Sequence, residues 1–221
     1  MSKSQQEKRL MLGVFTGGIM MLISFLMDGY GTMDQVSALG SRPLWVYTLC
    51  MILGAIGVPV MCLALSVWYE MIREMNSPKW VRLLFIASGI SYAVSSLYLI
   101  AIDCLPPVVF QNAVSLGLSA EDTLTLTQSV QKPYMIPIVV FFLIEDIGIS
   151  IVLWQLIITK RMKLPYWTLL CCPVPMLIVD IILKTIPLGI TKNISVMLES
   201  CGWLLFMLVG LFYRKRRLSE T

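Results

Sequence analysis

The sequence predicts an all-α membrane protein, a bundle of six transmembrane helices in a single domain that covers residues 1–221. Its composition is the first indication, because 57% of the residues are hydrophobic, 14% are charged and the mean hydropathy is +0.81. A soluble domain carries about 25% charged residues. The second indication is that apolar runs of about 20 residues, the length that crosses a bilayer as a helix, recur along the chain.

The six predicted spans cover residues 10–27, 44–69, 80–102, 133–159, 165–186 and 194–213. In the fifth span, the prolines at 173 and 175 are expected to kink the helix, because proline removes a backbone donor and clashes with the preceding turn. The spans alternate in direction, so an even number of them returns the chain to the side on which it starts.

A long connection, residues 104–132, is predicted between the third and fourth spans. Pro106 and Pro107 are expected to end the third span. Ser119 and Asp122 have the spacing of a capping box, which predicts a short helix inside the connection. The short helix is expected to be either a lid over the bundle or a passive surface helix, and the sequence leaves both open.

The cations predict the orientation of the bundle. Thirteen of the 17 lysines and arginines fall on one side of a six-span chain. The positive-inside rule assigns this side, with both termini, to the cytoplasm, and the plasma membrane is the expected location. The thirteen cations are Lys3, Lys8, Arg9, Arg73, Lys79, Arg82, Lys160, Arg161, Lys163, Arg214, Lys215, Arg216 and Arg217.

The composition also excludes several kinds of chemistry. The chain has no histidine, which removes the usual zinc ligand, the commonest general base and any triad that contains histidine. Its six cysteines form no C-x-x-C pattern, so no cofactor and no bound metal are expected. The net charge of +4 follows from the topology and does not predict nucleic acid as a partner. The expected partners are membrane lipids, a small solute or cation, and a partner membrane protein.

Two adjacent acids, Glu145 and Asp146, lie near the middle of the fourth span. An acid at bilayer depth costs at least about 2.5 kcal/mol, so it normally faces a protein interior or water and marks a function. Neighbouring helix residues point about 100° apart, so the two acids are expected not to face one point. Glu145 is the deepest acid and is the predicted carrier of a proton or cation.

Further acids are predicted in the outer half of the membrane. Asp180 and Lys184 are one helical turn apart and are expected to pair, either to orient a ligand or to form a gate. Glu199 lies one turn from Trp203, and an acid beside an aromatic ring can hold an organic cation. Ser88, Tyr92, Ser95 and Asp103 form a polar stripe on the third span. The full set of predicted ligand- or ion-binding residues is Asp28, Tyr92, Asp103, Glu145, Asp146, Asp180, Lys184, Glu199 and Trp203.

A short internal similarity relates the two halves of the chain. Residues 25–31 resemble residues 142–148, and the same offset brings the second span near the fifth and the third near the sixth. Halves of three spans each would run in opposite directions through the membrane, an arrangement found in transporters. The sequence therefore predicts a possible 3+3 inverted repeat.

The predicted function is that of a small transporter or ligand-binding membrane protein with an acidic cavity, linked to protons or another cation. One alternative is an intramembrane enzyme that acts on a lipid with carboxylates as acid and base, since such chemistry needs no histidine. Another is an accessory or immunity-type protein that binds a partner through its helix faces. Catalysis is the less favoured outcome, because no nucleophile or metal set is recognisable.

Overall fold

The computed structural model describes residues 3–29 and 33–219, and helix accounts for 87% of the chain. Five helices are long and apolar enough to cross a membrane, which indicates a helical membrane bundle. The order of elements is α1 (Lys3–Asp28), α2 (Gln35–Gly40), α3 (Leu44–Glu74), α4 (Lys79–Ser115), α5 (Ala120–Ile158), a 3₁₀ helix (Tyr166–Leu170), α6 (Pro173–Lys184) and α7 (Gly189–Ser219). The five long apolar helices are α1, α3, α4, α5 and α7.

The predicted fifth span, residues 165–186, is broken in the structure. It consists of the 3₁₀ helix and of α6, which has 12 residues and is about 18 Å long, whereas the hydrocarbon core of a bilayer is about 30 Å thick. The break falls at Cys172, whose backbone is extended, directly before Pro173. The proline motif therefore separates two helices, where the sequence predicts only a kink.

The predicted connection at residues 104–132 is wrong in extent, because helix covers residues 104–115 and 120–132 and only residues 116–119 form a turn. Pro106 and Pro107 lie inside α4, which continues to Ser115. Both prolines are buried, and packing after them holds the helix together: Gln111 donates hydrogen bonds to the carbonyls of Leu39 and Arg42 at 2.9 Å each. Tertiary contacts thus outweigh the tendency of two prolines to end a helix. The helix can continue through them because the fixed φ of proline is close to the helical value.

The predicted cap at Ser119 is confirmed, but the helix that it begins is not short. The Ser119 hydroxyl accepts a hydrogen bond from the Asp122 backbone N–H at 3.1 Å. From there α5 runs without interruption to Ile158. At about 55 and 58 Å, α4 and α5 exceed the bilayer core by roughly 25 Å and form a projecting hairpin.

The short helix α2 lies against this hairpin. Asp34 caps α2 by accepting hydrogen bonds from the backbone N–H of Ser37 at 2.9 Å and from its hydroxyl at 2.7 Å, and these bonds lower the pKa of the Asp34 carboxyl. Gln128 on α5 donates to Gln35 at 3.1 Å. Together with the bonds from α4, these contacts fix α2 on the projecting part of the bundle.

The start of α1 and the end of α7 lie at the opposite end of the bundle. Gln6 near the start of α1 donates to Glu70 near the end of α3 at 2.7 Å. Arg214 and Arg217 near the end of α7 form ion pairs with Glu74 at 3.2 and 3.0 Å. The connection after α5 is at the same end, since Arg161 donates to the carbonyls of residues 75 and 76.

Two hydrophobic clusters fill the bundle. The larger one includes Trp68 of α3 stacked on Phe206 of α7, with ring centroids 4.1 Å apart. The smaller one, toward the projecting end, contains Met27, Tyr47 and Cys104. A cavity with several polar side chains in a mostly apolar lining lies between the two clusters, because residues of both contribute to its walls.

The predicted inverted repeat stays a prediction. Tyr30 and Gly31, in the first of the two similar stretches, lie outside the described residues. The pairing of the second span with the fifth relates a continuous helix, α3, to the broken segment that contains α6. Any symmetry between the halves is therefore reduced at this point of the chain.

Candidate functional site

Three carboxylates from two helices converge inside the bundle. Glu145 and Asp146 on α5 and Glu199 on α7 each contribute one oxygen atom, and these three oxygens lie within 4.8 Å of one another. Glu145 and Asp146 are each 1% exposed, and Glu199 is partly buried. We refer to these three residues as the carboxylate cluster.

This convergence corrects the expectation that Glu145 and Asp146 cannot face one point. Their Cα–Cβ bonds do leave α5 in different directions, but each side chain has rotatable bonds that can turn its carboxylate. Glu199 approaches from a different helix and brings the third oxygen into the same space. Helix periodicity fixes where a side chain starts, but not where a long side chain ends.

The hydrogen bonds to the carboxylate cluster are few. Glu145 accepts a hydrogen bond from the hydroxyl of Ser95, a fully buried residue on α4. Asp146 is different, because both of its carboxylate oxygens are buried and lack a hydrogen-bond partner. The indole N–H of Trp203 lies close to Asp146 but also lacks a partner of acceptable geometry. Asp146 is therefore the least satisfied polar group of the site.

When ionised, the three carboxylates of the cluster would carry a charge that nothing among the described residues neutralises. None of its three carboxylates forms an ion pair with a described lysine or arginine. Two unit charges 4.8 Å apart repel by about 3.5 kcal/mol at an effective dielectric constant of 20. Three ionised carboxylates at this distance therefore require protons or a cation.

A cavity of about 60 Å³ adjoins the cluster. A space of this size holds a few water molecules, or one ion with part of its water shell, whereas sites for small organic molecules measure about 300–1,000 Å³. In this conformation the cavity suits an ion far better than a larger solute. Its polar lining consists of Ser24, Tyr92, Ser96, Asp103, Glu145, Glu199, Ser200 and Trp203.

Two aromatic residues form one wall of the cavity. Tyr92 of α4 and Trp203 of α7 are each 4% exposed, and their ring centroids are 4.4 Å apart. As predicted, Trp203 and Glu199 lie one turn apart and share a face of α7, since both line the cavity. The predicted polar stripe of α4 also contributes, with Tyr92 and Asp103 at the cavity and Ser95 bound to Glu145.

Sequence reasoning did not identify three serines of the cavity. Ser24 of α1 and Ser200 of α7 have their hydroxyl oxygens 3.0 Å apart, and Ser96 of α4 also lines the wall. Their signal in the sequence is weak, because serine is common in membrane helices and each lies in an apolar run. Ser200 is next to Glu199, which is the one local indication.

Asp180 and Lys184 form the predicted pair, with Lys184 Nζ 2.7 Å from a carboxylate oxygen of Asp180. The pair is asymmetric, because the Asp180 side chain is 9% exposed and the Lys184 side chain is 56% exposed. Neither residue lines the 60 Å³ cavity. The side chain of Asp28, at the end of α1, lies outside the described residues.

Close helix contacts beside the acids set the shape of the site. Gly148, three residues after Glu145, faces the Ser88 hydroxyl so closely that a Cβ atom would overlap with it. Gly202, three residues after Glu199, would place a Cβ atom 2.6 Å from the Cα of Pro173. The first glycine brings α5 against α4, and the second brings α7 against the start of α6.

The start of α6 is also bonded to α5. The backbone N–H of Val174 donates a hydrogen bond to the Ser150 hydroxyl at 3.1 Å. Trp154, one turn further along α5, donates from its indole N–H to the carbonyl of Leu169 in the 3₁₀ helix at 2.8 Å. Side chains of α5 thus satisfy backbone groups on both sides of the break, which lies about one turn below the carboxylate cluster.

Comparisons with known proteins place the chain in one family. Neither the curated proteins nor the solved structures give a match to this chain. A protein-family model described as a family of unknown function, DUF6796, matches residues 1–217. The match covers nearly the whole chain, including every helix that contributes to the cavity. The chain therefore belongs to the DUF6796 family.

Proposed function

We propose that this protein is a small membrane transporter linked to a cation, either a proton or a metal ion, that binds at the carboxylate cluster. The observation that carries the proposal is the convergence of Glu145, Asp146 and Glu199 inside an apolar bundle without a basic partner among the described residues. Such an arrangement is destabilising unless it serves to bind a positive charge.

We further propose that the chain crosses the plasma membrane six times, with both termini in the cytoplasm. The positive-inside pattern supports this orientation, and so does the grouping of the start of α1 and the end of α7 with the cationic connections at one end of the bundle. The fifth crossing would be the 3₁₀ helix followed by α6. Discontinuous helices of this kind occur at the binding sites of secondary transporters.

The size of the cavity supports an ion as the bound species. About 60 Å³ accommodates a cation with a few waters, and the cavity would have to open before an organic solute could enter. In the proposed mechanism, Glu145 is the main carrier, held by Ser95, and Asp146 and Glu199 share the bound charge. Asp103, on the same cavity wall, would guide the cation between the cluster and the projecting end.

The broken segment is the proposed moving element. Because α6 is short and joined to α5 through a 3₁₀ helix, it can shift without distorting a continuous helix. Its start contacts Gly202, three residues from Glu199, so a shift of α6 would reach the cluster through α7. Binding of a cation would remove the repulsion within the cluster and favour the closed arrangement.

The experiment is a flux assay on the purified chain in liposomes that contain either a pH-sensitive dye or a dye sensitive to the metal ion under test. Gradients of protons and of Na⁺, K⁺, Ca²⁺ or Mn²⁺ are imposed in turn. We expect flux for the wild type, loss of flux for Glu145→Gln, and unchanged flux for Glu121→Gln, a matched exposed glutamate on the same helix. Equal flux for Glu145→Gln and wild type, or no flux of any cation for the wild type, would overturn the proposal.

A further inference from the structure

The chemistry of the carboxylate cluster points to one class of cation. We infer that the cluster, together with the cavity beside it, is a binding site for a hard divalent metal ion such as Ca²⁺, Mg²⁺ or Mn²⁺. This inference rests on the proposed function and names the substrate class of the same site.

The distances between the three oxygens fit a single metal ion. Oxygen ligands lie about 2.3–2.6 Å from Ca²⁺ and about 2.0–2.1 Å from Mg²⁺, so opposite ligands of one ion are separated by about 4–5 Å. The three oxygens of the cluster lie within 4.8 Å of one another. A single ion can therefore contact Glu145, Asp146 and Glu199 with little movement of the helices.

Asp146 lacks the hydrogen bonds that a buried carboxylate normally accepts. This carboxylate is 1% exposed, contributes an oxygen to the cluster, and has no hydrogen-bond partner on either oxygen. Leaving such a group unsatisfied costs about 1–3 kcal/mol or more when it is charged. A proton alone would provide a donor but no partner for the remaining lone pairs, whereas a metal ion binds them directly.

The cavity beside the cluster can supply further oxygen ligands. Hard divalent ions take six or more oxygens, and three carboxylates provide only part of this set. The adjoining cavity is lined by the hydroxyls of Ser24, Ser96 and Ser200 and has room for a few water molecules. Carboxylates, hydroxyls and water together complete the coordination of one such ion.

The ligand atoms of the cluster are all oxygens, which hard divalent ions prefer. Carboxylate and hydroxyl oxygens select Mg²⁺, Ca²⁺ and Mn²⁺, whereas copper and zinc favour sulfur and imidazole. The cavity does contain sulfur, but the thiol of Cys104 contacts the thioether of Met27 at 3.6 Å, and neither belongs to the cluster. The expectation of no bound metal was based on histidine and paired cysteines, and an all-oxygen site needs neither.

Charge further favours a divalent over a monovalent ion. Three ionised carboxylates carry three negative charges, of which Na⁺ or K⁺ would leave two without compensation. A divalent ion leaves one, and the Trp203 indole N–H is positioned close to Asp146 to interact with it. Because uncompensated charge is costly inside an apolar bundle, the smaller residual charge favours binding of the divalent ion.

The test is a titration of the purified, EDTA-washed chain in detergent with Mn²⁺, with the free ion measured from its EPR signal. We expect one Mn²⁺ per chain, displaced by excess Ca²⁺ or Mg²⁺ but not by Na⁺ at the same concentration. Asp146→Asn and Glu199→Gln should each weaken binding about tenfold or more, and the exposed control Glu121→Gln should not. Both variants keep the size of the native side chain, and if one fails to fold the other carries the comparison.

Two outcomes would overturn the inference: absence of saturable Mn²⁺ binding to the wild type, or binding that Asp146→Asn and Glu199→Gln leave unchanged. The flux assay separates this failure from that of the proposed function. Proton flux without Mn²⁺ binding removes the divalent site and leaves transport standing. Mn²⁺ binding to the cluster without flux removes transport and leaves the site standing.

Discussion

The hydroxyl of Ser95 on α4 donates a hydrogen bond to the carboxylate of Glu145 on α5. It is the only hydrogen bond of accepted geometry that the described residues make to the carboxylate cluster, and it joins the two longest helices of the chain. The Ser95 hydroxyl oxygen also lies 3.1 Å from the carbonyl oxygen of Tyr92, a second acceptor within reach of the same O–H. Glu145 is thus oriented by a buried donor, while Asp146 is not.

Replacing Ser95 by alanine should lower the stability of the protein. The substitution leaves a buried carboxylate without its donor, and we expect a loss of about 1–3 kcal/mol in the free energy of unfolding. Ser129→Ala is the matched control, because Ser129 is exposed on α5 and bonds only to a backbone carbonyl. It should change stability by less than about 0.5 kcal/mol. Unfolding in mixed detergent micelles gives both values, and equal effects of the two substitutions would contradict the prediction.

The pair of Asp180 and Lys184 should respond asymmetrically to substitution. Lys184→Met leaves a nearly buried carboxylate without its partner and should cost about 1–3 kcal/mol. Asp180→Asn leaves a half-exposed ammonium that can reach water, so its cost should stay below about 1 kcal/mol. The double variant should be more stable than Lys184→Met alone. A double-mutant cycle of unfolding free energies tests this order, which an equally solvated pair would not produce.

Gly148 should not tolerate a larger side chain. Its added Cβ would overlap with the Ser88 hydroxyl, and overpacking of this kind costs about 1–3 kcal/mol. Gly18→Ala is the control, because a Cβ at that position of α1 meets nothing within 4 Å. It should be neutral or stabilising by up to about 1 kcal/mol. Removing the hydroxyl in the double variant Gly148→Ala, Ser88→Ala should recover part of the loss, and no recovery would mean that the contact with Ser88 is not the cause.

The proposed orientation predicts which connections a membrane-impermeant maleimide can reach in intact cells. Leu116, in the turn between α4 and α5, is 83% exposed, and Leu116→Cys should be labelled from outside. Lys163→Cys, in the connection after α5, should be labelled only after the cells are permeabilised. The variants are compared with the parent chain, whose own cysteines give the background. Labelling of Lys163→Cys in intact cells would reverse the orientation.

Local features of the sequence predict the contacts that arise within one helix. The spacing of Asp180 and Lys184 predicts their ion pair, and the spacing of Glu199 and Trp203 predicts their shared face. The cap at Ser119 follows in the same way from a four-residue pattern. In each case the interaction depends on helix geometry alone, which is the same in every protein.

Features that depend on contacts between helices are not predictable in this way. Pro106 and Pro107 predict the end of a helix, but α4 continues because Gln111 beyond them is bonded to the segment around α2. The meeting of Glu199 with the acids of α5 depends on how closely the helices approach at Gly148 and Gly202. A single sequence shows where the glycines are, but it does not show how closely the helices approach one another at them.

The broken segment between α5 and α7 has a consequence for how the chain enters the membrane. The five long helices make most of their backbone hydrogen bonds internally, apart from the turns at the prolines of α3, α4 and α5, so each can partition into lipid largely by itself. The 3₁₀ helix and the 12-residue α6 differ, since the break at Pro173 leaves backbone groups that need partners from another helix, and Ser150 of α5 bonds one of them while Gly202 of α7 packs against Pro173. If this segment crosses the membrane as proposed, we expect it to insert together with α7 as a hairpin rather than by itself.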